Sequence, residues 1–134
     1  MASSYSATTR GVVVSVQAAF LPEHSDPDDG AWVWAYQVRI ENGSAEAVQL
    51  LARTWRITDA RGRTEVIEGP GVVGKTPKLA PGEAFEYTSG TPLGTASGFM
   101  TGTYHMVVSA TGETFDAEVP TFSLDSPSAG RSVH

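Results

Sequence analysis

The chain contains no cysteine, so disulfides, thiolate metal sites and thiol nucleophiles are excluded together. It has no apolar run approaching the roughly 20 residues that a membrane-spanning helix needs, and no membrane association is expected. Residues 1–6 carry neither the basic flank nor the apolar centre of a secretion signal, so a cytoplasmic location is expected. No stretch repeats apolar residues at helical spacing between capping residues. Bases are scarce as well: nine Lys and Arg stand against fifteen Asp and Glu, a net charge of −6. An acidic body argues against broad nucleic-acid binding, which needs an extended basic face. With 40% hydrophobic and 18% charged residues, the 134-residue chain suits one globular domain that buries a core without staples.

Alternation is what the sequence has instead. Residues 31–41 place Trp32, Trp34, Tyr36, Val38 and Ile40 on one face, with Gln37, Arg39 and Glu41 on the other. That period of two marks a half-buried strand of an antiparallel sheet. Valine-rich residues 11–20 read as the first strand, and residues 21–30 as a polar loop broken by Pro22 and Pro27. Asn42-Gly43 is the pair that tight hairpin turns favour, and the glycosylation-type triplet Asn42-Gly43-Ser44 is read as that turn. Residues 47–59 continue as a strand with Leu51, Trp55 and Ile57 on one face. Val48 and Leu50 fall out of that phase, which predicts a bulge near residues 50–51.

Residues 59–63 turn, residues 64–68 form a short strand, and residues 79–83 turn again before Phe85, Glu86 and Tyr87. Residues 88–98, small and polar, read as a loop. Residues 99–109 set Met100, Tyr104, Met106 and Val108 against Thr101, Thr103 and His105, and a last strand runs from 114 to about 124. Residues 126–134 have nothing to bury and read as a mobile tail, which leaves one domain over residues 1–125. Seven or eight short strands with regular turn signals predict an all-β antiparallel sandwich of the immunoglobulin or fibronectin type III kind. The missing cysteine pair favours the fibronectin variant, and the three tryptophans Trp32, Trp34 and Trp55 are assigned to its core.

One segment departs from this pattern. Residues 68–75 read Glu-Gly-Pro-Gly-Val-Val-Gly-Lys, with Gly69, Gly71 and Gly74 at the G-x-G-x-x-G spacing of dinucleotide-binding turns. That fingerprint works by opening a helix onto the pyrophosphate, whereas here Pro77 and Pro81 follow and rule a helix out. Three uses remain. The glycines can supply positive φ for a sharp turn, or present a nest of N–H groups to phosphate oxygens, or form a loop that docks a partner. In the anion reading Lys75 and Lys78 lie close in sequence, and Arg61 or Arg63 reaches across the preceding hairpin. The charges are suggestive: residues 53–78 hold six of the nine bases and only three of the fifteen acids. Such a patch suits a small anion or an acidic partner surface, or is ordinary solvated charge.

Catalytic signatures are missing. There is no G-x-S-x-G elbow, and His24, His105 and His134 are scattered over a loop, an outward strand face and the terminus. Residues 24–29 concentrate oxygen ligands but lack the spacing and final glutamate of a calcium loop. Asp116 and Glu118 share an outward face, where solvation accounts for them. No enzymatic activity, metal or cofactor is expected, and the oligomeric state is not legible.

Several blocks are distinctive in combination: Tyr5-Ser6-Ala7-Thr8-Thr9-Arg10-Gly11, Val33-Trp34-Ala35-Tyr36, Val38-Arg39-Ile40-Glu41-Asn42, Trp55-Arg56-Ile57-Thr58-Asp59-Ala60, and the glycine segment itself. Pro81-Gly82-Glu83, Phe85-Glu86-Tyr87-Thr88-Ser89-Gly90, Gly98-Phe99-Met100 and Phe122-Ser123-Leu124 extend them. Across residues 5–125 this pattern resembles the bacterial ApaG family. The resemblance implies a fibronectin type III-like sandwich without a catalytic motif. It also implies gene neighbourhoods shared with a diadenosine tetraphosphate hydrolase and a ribosomal RNA dimethyltransferase, and a link to cobalt and magnesium homeostasis. Related domains in eukaryotic F-box proteins and in a polymerase-interacting protein imply a protein-binding role. Two functional expectations follow: a non-enzymatic module that docks a protein partner, and a sensor that binds pyrophosphate or a dinucleoside polyphosphate, with or without magnesium, at Gly69, Gly71, Gly74 and Lys75.

Overall fold

A strand with alternating apolar residues buries one face only, so two such sheets must cover each other. The computed structural model describes residues 4–127 and forms them into a sandwich of this kind. One sheet has the order β1-β2-β3-β7, made of β1 (Ser4–Thr9), β2 (Val12–Phe20), β3 (Trp32–Asn42) and β7 (Ala84–Leu93). The other has the order β5-β4-β8-β9, made of β4 (Val48–Asp59), β5 (Thr64–Pro70), β8 (Ser97–Val108) and β9 (Thr114–Asp125). The two-residue β6 (Lys78–Leu79) pairs with the start of β4. Every pairing is antiparallel. Among the described residues, no helix is long and apolar enough to cross a membrane.

The alternation read from the sequence places the core. Val12, Val14, Val16, Val38 and Ile40 line one sheet; Leu50, Met100, Tyr104, Met106, Phe122 and Leu124 line the other, all fully or almost fully buried. Trp55 holds the centre, with its ring edge-on to Tyr36, Tyr104 and Phe122 at 5.4, 6.1 and 6.1 Å between centroids. Each such aromatic pair adds about 0.5–1.5 kcal/mol beyond the area it buries. Trp34 is buried as well, while Trp32 packs only partly against the core.

Several local expectations change. A strand, β1, precedes the one read as first and pairs with β2 along its whole length; its serine- and threonine-rich sequence hides it. Asn42-Gly43 makes no hairpin, because β3 and β4 belong to different sheets. Asn42 is fully buried, and its amide donates to the carbonyls of Glu46 and Leu79, at 2.8 and 2.9 Å. The bulge stands where the phase break placed it, between Leu50 and Ala52, but the roles of the two leucines are reversed. Leu50 is buried and Leu51, the extra residue, faces out. Residues 88–98 are mostly strand, since β7 runs on to Leu93 and β8 begins at Ser97. Small side chains are required there: a Cβ at Gly90 would lie 3.0 Å from the Trp34 carbonyl oxygen. Ser126 is buried and bonded to the Ala96 carbonyl, so the chain is still docked at that point. The rest of the expected tail, residues 128–134, lies outside the described residues.

The two long sides of the sandwich differ. On one, β9 packs on both β1 and β2 and closes the gap between the sheets. On the other, the outermost strands β5 and β7 scarcely touch. In β5 every residue is exposed apart from half-buried Gly69.

Candidate functional site

The open side of the sandwich is a groove between two sheet edges that are unpaired among the described residues. Its deeper part is a cavity of about 240 Å³, lined by Tyr36, Arg53, Trp55, Ile67, Val73 and Tyr87 among others. A shallower cavity of about 360 Å³ continues along β5, between Ile57, Arg63, Glu65 and Leu93. The groove exists because the inward face of β5 has little to pack on. Glu65 and Ile67 stand opposite Ile57 and Trp55 of β4, yet Ile67 remains 39% exposed. At the deep end, Val73 is 51% exposed.

The glycine segment closes that deep end, and its geometry is that of a turn. Val73 and Gly74 have φ of 44° and 77°, and Val72 and Lys75 exchange backbone hydrogen bonds of 2.8 and 2.9 Å. Positive φ at both central residues defines the primed two-residue hairpin turn, which asparagine and glycine favour. Gly71 also has positive φ, at 59°, and a Cβ there would run into the Lys75 carbonyl. Its N–H donates to the Leu51 carbonyl at 2.8 Å, so the bulge of β4 anchors the turn. The amides of Gly71, Val72 and Lys75 are therefore all occupied within the protein, which removes most of the donors an anion nest would use.

Gly69 has a different task. It pairs with Arg53 across the β4–β5 ladder, and a Cβ at Gly69 would lie 3.2 Å from Arg53 Nη2. Without that side chain, the guanidinium lies across β5 and donates through Nη1 to the carbonyls of Pro70 and Gly71, at 3.0 and 2.7 Å. Among the described residues, Arg53 has no carboxylate partner. It is a half-buried cation facing a cavity.

Gly69, Gly71, Gly74 and Lys75 thus lie together, whereas Arg61 and Arg63 do not join them. The β4–β5 hairpin runs lengthwise, and residues 64–68 of β5 separate its turn from Gly69, roughly 20 Å at about 3.3 Å per residue. At that far turn the N–H groups of Arg61 and Arg63 donate to Asp59 Oδ1, at 2.9 and 3.0 Å. Arg63 lines the shallower cavity. The arginine that does reach the glycines is Arg53, which the sequence reading counted only as charge. Its position follows from plain alternation: residues 53, 55 and 57 stand two apart in continuous register with β8, so Arg53 falls on the same face as Trp55 and Ile57.

A second constellation also went unread. His105 Nδ1 lies 2.8 Å from Asp116 Oδ1, and its Nε2 lies 2.8 Å from Thr54 Oγ1. A neutral ring that donates Nδ1–H to Asp116 accepts the threonine hydroxyl at Nε2. The connectivity is that of a nucleophile–base–acid triad. It stands on the outward face of the sheet, however, and none of its members lines either cavity of the groove. Its evident effect is to tie β4, β8 and β9 together across that face. Among the described residues, no cluster of three or more His, Asp or Glu is placed to hold a metal ion.

Comparison with known proteins agrees with this architecture. Residues 22–108 match the family model of the ApaG domain. The chain is 57% identical over 123 residues to the ApaG protein of Rhodospirillum centenum, covering 92% of this chain and 94% of that protein. It is 58% identical over 127 residues to the ApaG protein of a Bradyrhizobium strain, covering 95% and 97%. A crystal structure described as an ApaA protein from Bordetella pertussis superposes with a TM-score of 0.83 at 46% identity, covering 87% of this chain and 94% of that one. By sequence and by architecture, the chain belongs to the ApaG family.

Proposed function

We infer that this ApaG-family domain is a non-enzymatic binding module that docks a protein partner in the groove between β5 and β7. One observation carries the reading: two open strand edges flank a cleft whose apolar walls, Ile67 and Val73 included, stay partly in water. Exposed strand edges are normally guarded, because they pair readily with another chain. Here Glu65, Glu68 and Pro70 supply some of that guarding, yet Val66 and Ile67 sit between them unprotected. The alternative, a sensor of pyrophosphate or a dinucleoside polyphosphate at residues 69–74, has weaker support. Three of the loop amides are already bonded, and Arg61 and Arg63 stand at the other end of β5.

The test is site-specific cross-linking in living cells, with a photoreactive phenylalanine analogue at Ile67 or Val73 and a control at Thr103 on the outward face. Discrete adducts with one protein from the groove positions, and not from the control, are the expected result. An absence of adducts from the groove, or the same adducts from all three positions, would sink the reading.

A further inference from the structure

We propose that the groove recognises an extended segment of a partner protein that carries one acidic residue, added as an antiparallel strand on β5, with its carboxylate received by Arg53. The proposal rests on the docking reading above and names the chemistry of its occupant. Strand addition supplies affinity through main-chain hydrogen bonds and specificity through alternate side chains. Among the described residues nothing pairs with the outer edge of β5, and all its residues but Gly69 are exposed.

Side chains directly opposite each other in a ladder share one face. Those that would enter the groove therefore stand opposite Gly69, Ile67 and Glu65, the residues of β5 that pair with Arg53, Trp55 and Ile57. Opposite Gly69, the missing side chain leaves the Arg53 guanidinium as the nearest group of that face. Nη1 is committed to two carbonyls, whereas Nη2 lies over the glycine, 3.2 Å from where a Cβ would stand. A half-buried guanidinium without a carboxylate calls for one, and charge-assisted bonds of this type are the strong ones. Opposite Ile67, an aliphatic side chain would cover the exposed isoleucine and the rim of Trp55. Opposite Glu65, a second acid would be repelled, which fixes the register. Antiparallel addition matches every pairing in the molecule and is the more stable kind per residue. The recognised pattern is then an acid, any residue, and an aliphatic residue, in chain order.

Random heptapeptides displayed on phage, selected against the intact protein, provide the test. Selected peptides should carry Asp or Glu two positions before Val, Ile or Leu. A selected peptide made synthetically should shift the amide resonances of residues 65–69 and slow their exchange. Converting its acid to the amide should weaken binding by about tenfold or more, the scale of a charge-assisted hydrogen bond. Arg53→Gln should bind the acid and amide forms alike; the wild-type comparison of the two peptides stands even if that variant fails to fold. Enrichment without an acid, shifts confined to β7 or the outward face, or no enrichment at all would each overturn the proposal. So would a dimer whose β5 amides are protected before any peptide is added, since a second copy would then fill the groove. Cross-links from Ile67 without acid enrichment would leave docking intact and reject this code, whereas no cross-links would reject docking itself.

Discussion

Val73 carries the clearest conflict between local chemistry and observed conformation. A β-branched residue at a φ of 44° is a genuine outlier, and the turn position it fills suits asparagine or glycine. Gly74 beside it has positive φ and open space around its Cβ position, which is the ordinary use of glycine. Strain of this kind costs on the order of 1–3 kcal/mol and collects where a side chain serves binding. Val73 is half exposed and lines the groove, so folding gains little from keeping it. Val73→Asn should therefore raise stability by about 1 kcal/mol, seen as a higher urea midpoint with an unchanged slope. The same variant should lose the cross-linked partner found from Ile67. A destabilised Val73→Asn would show that the valine is retained for packing and not for docking.

Among the strands, β5 combines an open edge with an exposed sequence, and this sets its dynamics. It is held by β4 alone, and nothing in it is fully buried. Low burial and one-sided pairing place an element at the weak end of the range of local stabilities. Amides of residues 64–69 should exchange with solvent well before those of β8, which is paired on both sides with an almost fully buried inward face. Equal protection of β5 and β8 in hydrogen-exchange measurements would contradict this account. What the sequence disclosed about such elements depended on side-chain size. Trp34, Tyr36, Val38 and Ile40 announced β3 and the core, and the phase break at residues 50–51 announced the bulge. The strand β1 and the later half of β7 stayed hidden, because their serine, threonine and glycine residues give no alternation of large apolar side chains. The groove stayed hidden for a different reason. It is made by two strands failing to meet, and Arg53, on the face of Trp55 and Ile57, is left uncovered in it by a glycine on the neighbouring strand. No spacing along one chain segment records either fact.

Across the whole molecule, one of the polar links between the sheets lies deep in the core. Tyr87 of β7 and Tyr104 of β8 share a hydrogen bond between their hydroxyls, and each belongs to a different sheet. Burial disfavours both phenolates, which pushes both hydroxyls well above their ordinary value of 10.0. For Tyr104 the neighbouring Tyr87 adds to the rise, while Arg53 draws both slightly the other way. The sign of the consequence follows directly. Below pH 10 both states keep the protons, and the contribution is fully present. Above it the unfolded chain releases protons that the folded chain retains, so stability falls as pH rises. The loss reaches at most about 1.4 kcal/mol per tyrosine for each pH unit. Urea midpoints measured from pH 7 to 11 should be level at first and then decline. Replacing both residues by phenylalanine should cost little at pH 7, because no hydroxyl is left unpaired, whereas either single replacement strands one hydroxyl and costs about 1–3 kcal/mol. The double variant should also lose part of the alkaline decline. If it declines as steeply as the wild type, the pair does not set the alkaline limit, and the sheets are joined there by packing alone.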